Sequence, residues 1–193
     1  MDRKPLTDLE IIDHVRRGAR NFYAQIIDRY KDKSMSLALR ILRNREEAEE
    51  ATQDAFIRAY NALNSFEGTS QFGTWFYRIL YNGCLTRLSR HKKEFIESEY
   101  DDEKEFERPD AGGSEWSDEF ELSDMIAFVK KTIDALPAKY SAIVSLFYFQ
   151  ELSYDEIARV TELPIGTVKT HLFRARTMLQ KRIQKELQYE KIT

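Results

Sequence analysis

The chain has 193 residues, 42% hydrophobic and 33% charged, with a formal net charge of -3, which is enough apolar matter for one large or two small cores. Its longest apolar runs, such as residues 142–149, fall far short of the roughly 18 residues that cross a bilayer, and Met1-Asp2-Arg3-Lys4 lacks the apolar character of a signal segment, so a soluble cytoplasmic protein is predicted. The single Cys84 excludes an internal disulfide and reads as a small core residue, while His14, His91 and His171 are too far apart for a local metal motif, so neither metal nor cofactor is expected.

Charge is spread unevenly. Residues 1–93 hold 17 basic and 12 acidic side chains, residues 94–121 hold 2 and 13, and residues 122–193 hold 11 and 8. The middle stretch contains Pro109, Gly112 and Gly113 and no sustained helical period, which predicts a flexible acidic linker over 95–119. Two small helical domains, 1–94 and 120–193, are expected on either side, in an all-α fold without alternating strand patterns.

In the first domain Leu9, Ile12 and Val15 mark a short amphipathic helix that stops near Gly18. Tyr23, Ile26 or Ile27, Tyr30, Ser34, Leu37 and Ile41 step by three or four through a long second helix, ended by Asn44. Residues 46–63 place Ala48, Ala51, Ala55, Ala59 and Leu63 on one face, small side chains that let helices approach closely, and crowd acids into the first half, where the helix dipole favours them. After a loop over 64–71, a last helix is predicted from about Phe72 to Lys93. Residues 68–93 contain five Lys or Arg and no acid, interleaved with Phe72, Trp75, Phe76, Tyr77 and Tyr81. Three consecutive aromatics sweep about 200 degrees of a helix, so at least one of Trp75, Phe76 and Tyr77 must leave the core. Aromatic faces among cations suit single-stranded DNA, whose bases stack while Lys and Arg hold the backbone.

In the second domain a helical stripe runs from Leu122 through Val129 and Ile133 to Leu136, closed by Pro137, and the next helix spans Lys139 to Phe149. Ser153 with Glu156 forms a capping box, Thr161 to Pro164 a turn, and Pro164 and Gly166 open a second helix. Val168, Leu172, Ala175 and Leu179 form its buried stripe, so Lys169, Thr170, Phe173, Arg174 and Thr177 look outward. Residues 163–185 carry six Lys or Arg and no Asp or Glu. Two helices about a tight turn with an uncompensated basic face predict a DNA-binding helix-turn-helix.

Four motifs in order, Glu47-Ala-Glu-Glu-Ala-Thr-Gln-Asp-Ala-Phe-Ile-Arg-Ala-Tyr60, Phe72-Gly-Thr-Trp-Phe-Tyr-Arg-Ile79, Leu136-Pro137 and Leu163-Pro-Ile-Gly-Thr-Val-Lys-Thr-His-Leu-Phe-Arg-Ala-Arg176, closely resemble the extracytoplasmic-function sigma factors of bacteria. The resemblance implies a non-enzymatic initiation factor. Its N-terminal domain would bind the clamp coiled coil of core RNA polymerase through Glu47, Glu50, Gln53, Asp54, Ile57 and Arg58. It would melt the minus-10 element with Phe66, Phe72, Trp75, Tyr77, Arg78, Asn82, Arg87 and Arg90. Its C-terminal domain would bind the polymerase flap and read the minus-35 element with Lys169, Thr170, His171, Phe173, Arg174 and Arg176. An anti-sigma factor is a further implied partner. Here Glu47, Glu50 and Asp54 stand where the family more often has Asp, Asp and Glu, and Lys169-Thr170-His171 replaces the commoner Lys-Ser-Arg, so the promoter sequence is not transferable.

Two other readings compete. A transcriptional regulator with an N-terminal sensor domain would need a ligand pocket or phosphoacceptor, and a recombinase would need a nucleophile, for which Ser89 between Arg87 and Arg90 is the sole faint candidate. The acidic linker, with Glu97, Glu99, Asp101, Asp102, Glu103 and Glu105, reads first as a solvated tether; the competing reading has it fold back on the flanking basic domains when no polymerase is present, and the resemblance implies a path through the nucleic-acid channel of a holoenzyme.

Overall fold

The computed structural model describes residues 5–95 and 122–190. The predicted linker lies outside them beyond residue 95, which ends a helix, and so does the linker's expected self-inhibitory role. The described residues form eight α-helices and two short 3-10 turns, with no strand among them. Helices α1 (Asp8–Arg16), α2 (Tyr23–Leu42), α3 (Arg45–Asn61) and α4 (Phe72–Phe95) build the first unit, and α5 (Leu122–Asp134), α6 (Ala138–Tyr148), α7 (Tyr154–Thr161) and α8 (Ile165–Glu190) the second.

Each boundary has a local cause. Thr7 and Glu10 close a capping box at the start of α1. Its buried stripe is Ile11, Ile12 and Val15, rotated from the expected one because Leu9 faces outward. Arg43 takes the left-handed conformation that ends α2, and Asn44, expected to end that helix, instead caps the next: its side chain accepts from the Glu47 amide at 3.2 Å. Ala48, Ala51, Ala55 and Ala59 are all buried, so α3 lies close against α2 and α4 with little side-chain bulk between the backbones. Phe56, Phe66, Phe72, Phe76 and Tyr77 fill the remaining space as a chain of ring contacts with Tyr30 at its centre. Cys84 is also buried, and burial pushes its thiol up to about 12, which leaves it inert at neutral pH.

In the second unit the capping box at Ser153 and Glu156 is present, and the backbone of Pro164 accepts from Thr167 and Val168, so Pro164 immediately precedes the helix that it was expected to begin. Val168, Leu172 and Ala175 are buried as the period requires. Helix α6 is unusual: every residue from Tyr140 to Leu146 is buried. One side meets α8 and α7, and the opposite side meets α2 of the first unit.

The two units therefore share a seam. Arg40, its side chain only 9% exposed, bonds Asp134 at 2.8 Å and the Ser145 hydroxyl at 3.2 Å, and its guanidinium lies 4.7 Å from the Phe149 ring. Arg43 donates to the Leu136 carbonyl. Gln150 accepts from the Tyr77 hydroxyl at 2.7 Å and donates to the Lys33 carbonyl at 3.3 Å. Burial, then the charge of Asp8, pushes the Tyr77 hydroxyl upward, so it stays a neutral donor.

The alanine face gives the first prediction. Ala55→Leu forces extra methylenes into a helix contact without room for them and should destabilise the protein by about 1–3 kcal/mol. A urea titration followed by circular dichroism measures it; an unchanged midpoint would mean that α3 is not closely packed.

Candidate nucleic-acid interface

The outer face of α8 follows from its buried stripe. Lys169, Thr170, Phe173 and Arg174 all project outward, Phe173 being 70% exposed, more than any other large apolar side chain among the described residues. Thr177, expected to join them, is half-buried and turns its hydroxyl back to the Phe173 carbonyl at 3.1 Å. Two further predicted base contacts are engaged within the unit. His171 meets the Tyr140 ring edge-on at 5.3 Å, and its Nδ1 is buried without a hydrogen-bond partner among the described residues. Burial, then the charges of Lys139 and Arg174, hold its pKa below the ordinary value, so it is uncharged at neutral pH. Arg176 donates to the Tyr148 hydroxyl at 2.9 Å and lies over the Phe147 and Tyr148 rings, bracing α8 against the end of α6.

On α4 the aromatic cluster divides. Phe66, Phe72 and Tyr77 are buried, while Trp75 is half-buried on top of Phe66 and Phe72, with centroid distances of 5.0 and 5.6 Å. Of these four predicted minus-10 aromatics, Trp75 alone keeps ring surface outside the core. Arg78, Asn82 and Arg90 are exposed along the helix. Arg78 is held by Glu162, at 3.1 Å to Nε and 2.8 Å to Nη2, and Thr74 donates to Glu156 at 2.9 Å. The first helix of the helix-turn-helix thus lies on the N-terminal half of α4. Partial burial works to raise the Glu156 pKa, but hydrogen bonds from Ser153 and Thr74 outweigh it and hold the carboxyl below its ordinary 4.5. Because the folded value is depressed, this contact stabilises fully above pH 4.5 and is lost as pH falls through the lower folded value.

The predicted polymerase face of α3 is joined to α4. Arg87 bridges Glu50 at 2.8 Å and Asp54 at 2.5 Å, its side chain 23% exposed. A predicted DNA contact thus ties down two predicted polymerase contacts. Gln53, Ile57 and Arg58 remain on the exposed surface beside them, with Ile57 59% exposed. The Ser89 hydroxyl bonds the Thr86 carbonyl of its own helix at 2.9 Å, a helix-surface arrangement rather than that of a nucleophile. Among the described residues no helix is long and apolar enough to cross a membrane.

Comparison with known proteins decides the family. Residues 26–94 match the model for sigma-70 region 2, and residues 129–179 that for sigma-70 region 4. The extracytoplasmic-function (ECF) RNA polymerase sigma factor SigW of Bacillus subtilis is 34% identical over 177 residues, covering 90% of this chain and 95% of that protein. The ECF RNA polymerase sigma-E factor of Escherichia coli K12 is 33% identical over 184 residues, covering 93% and 95%. The chain belongs to the ECF sigma factors. Its fold is shared by the sigma factor RpoE of Bartonella quintana, solved with the anti-sigma factor NepR, at a TM-score of 0.63, 23% identity and coverage of 84% of this chain and 96% of that one. CnrH, solved with the cytosolic domain of CnrY, gives 0.61 at 18% identity, covering 91% and 96%. This sigma factor is a transcription initiation factor by family, and the enzymatic and sensor-regulator readings lose their ground.

The bridging role of Arg87 separates structure from docking on α3. Replacing Glu50 and Asp54 together by Gln and Asn leaves Arg87 without charge partners and should cost about 1 kcal/mol, since these pairs are partly exposed. Gln53→Ala and Ile57→Ala alter only exposed side chains and should leave the melting temperature unchanged. Thermal melts of the three variants check this, and equal losses in all of them would refute the distinction.

Proposed function

We propose that this sigma factor docks on core RNA polymerase through the outer face of α3, with Glu47, Glu50, Gln53, Asp54, Ile57 and Arg58. It then directs the enzyme to promoters through two DNA-reading faces. Lys169, Thr170, Phe173 and Arg174 of α8 read the minus-35 duplex: Lys and Arg donate to guanine edges or phosphates, Thr170 serves either, and the Phe173 ring meets a thymine methyl. His171 and Arg176 support that helix from behind. At the minus-10 element Trp75 supplies a stacking surface for an unpaired base, seated on Phe66 and Phe72, while Arg78, Asn82 and Arg90 follow the backbone along α4. Arg87 acts by joining α4 to α3, so that the melting helix and the polymerase-bound helix move as one body.

The observation that carries this reading is the exposed face of the second helix of the helix-turn-helix, acid-free through residue 185, in a chain whose other half matches region 2.

The seam adds a condition. Glu162 and Glu156 occupy Arg78 and Thr74, so α4 and α7 must part before α4 lies along DNA. The Arg78–Glu162 pair is 56% exposed on both sides, and such pairs hold by about 1 kcal/mol or less, so promoter phosphate and polymerase surface compete with it readily. An anti-sigma factor is the natural antagonist: it would favour the closed seam and keep core polymerase from the protein.

Run-off transcription with purified core polymerase tests the whole reading. Start sites should depend on the added chain, and absence of dependent transcripts would refute it. Within that assay Arg174→Ala should weaken minus-35 duplex binding by roughly 1–3 kcal/mol while core polymerase affinity stays at the parental level. Unchanged duplex binding would remove Arg174 from the reading face.

A further inference from the structure

The loop over 62–71, which joins α3 to α4 beside Trp75, is held from an unexpected direction. Arg16, on the last turn of α1, donates Nε and Nη2 to the Leu63 carbonyl at 3.1 and 2.5 Å, and Nη2 also to the Phe66 carbonyl. One guanidinium thus clamps two backbone oxygens three residues apart. The side chains of Leu63 and Phe66 point inward and are buried, while Asn64, Ser65, Glu67, Gly68 and Thr69 between and beyond them are exposed. Leu9, also on α1, lies 3.9 Å from where a Gly68 Cβ would stand, and Gly68 itself has a φ of +72.

Helix α1 is in turn fixed to the body of the unit. Asp8 accepts from the Tyr30 hydroxyl at 2.5 Å and from Arg29 at 2.7 Å, both on α2. The path from α2 through α1 and Arg16 to the loop is continuous and hydrogen-bonded at each joint. Its product is a loop whose outward residues are placed by a residue forty-seven positions earlier in the chain, outside the region 2 match that begins at residue 26.

We propose that Arg16 is a positioning residue for minus-10 recognition. It sets the loop's exposed side chains and the Phe66 seat of Trp75 in the geometry that meets the unpaired strand, without touching DNA itself. The proposal rests on the reading that this loop and α4 face the minus-10 element. Its physical basis is preorganisation: a loop ordered by Arg16 during folding has no ordering entropy left to lose on binding, and its contacts discriminate between bases more sharply. A planar fork of donors suits the task, because two carbonyls at different angles are reached from one rigid group.

The test uses full-chain holoenzymes on a duplex pool randomised over the minus-10 element with the minus-35 element held constant. Arg16→Ala should lower the preference for the selected minus-10 sequence over its single-base variants about tenfold, the scale of one well-formed base contact. Affinity for core polymerase and for a duplex bearing only the minus-35 element should stay parental. Arg16→Lys, which keeps the charge and reaches one carbonyl, should fall between, and it decides by the same ratio if the alanine variant melts below the assay temperature. An unchanged preference, or parallel loss of minus-10 preference and minus-35 binding, overturns the proposal. An Asn64→Ala, Glu67→Ala double variant separates the two layers. If it loses preference while the Arg16 variants do not, the loop reads DNA without help from Arg16; if neither loses it, the loop does not face the minus-10 element at all.

Discussion

Everything else in the arrangement depends on how Gln150 and Arg40 are satisfied. Gln150 is 8% exposed and sits on the turn after α6, yet its amide is completed by the first unit, from the Tyr77 hydroxyl and to the Lys33 carbonyl. Arg40 runs the other way, from α2 into the second unit, and finds Asp134, Ser145 and the face of Phe149. A buried polar group is tolerated only where its partners are in place, so these contacts fix one register between the units more strictly than apolar packing would. The same groups accept water when the seam opens, which keeps opening cheaper than exposing an all-hydrocarbon interface. A seam of this composition suits the closed and open settings proposed for this protein.

The consequence reaches the chemistry of recognition. Helix α7 has two uses, as the support of α8, the proposed reading helix, and as the cover of α4, with Glu156 taking part in both through its capping box and its bond to Thr74. Arg87 and Arg16 act inside the first unit in a comparable way, each tying a surface proposed to touch DNA to a helix that does not. The proposed recognition would thus draw on residues at three removes: side chains at the surface, the rings and carbonyls beneath them, and the cations that hold those in place.

Much of the architecture was legible from side-chain period alone. The alanine face of α3, the buried stripe of α8, the capping box at Ser153 and the inert Cys84 all follow from rules in which a residue's neighbours along one helix decide its fate. Burial of Phe66, Phe72 and Tyr77, and the engagement of His171 and Arg176 with aromatic rings of α6, were not legible, because those depend on what another helix places opposite them. The seam did leave one sign. Residues 142–149 are almost continuously apolar, and a helix apolar on all sides needs cover on all sides. The expected division into two domains did not carry that sign through: α8 and α7 cover only part of the run, and α2 covers the rest.

The measurement closest to the central claim is the separation of the two units with and without polymerase. Cys84 is buried and its thiol pushed up to about 12, so fluorophores can be directed to Glu49→Cys on α3 and Lys181→Cys on α8, both exposed positions. Energy transfer between them should report one narrow, high-efficiency population for the free chain and a distinctly lower efficiency once core polymerase is added. The same efficiency in both states would contradict the account, since a seam that stays shut on the polymerase leaves Arg78 and Thr74 engaged by Glu162 and Glu156 and unable to take the part proposed for α4 at the minus-10 element.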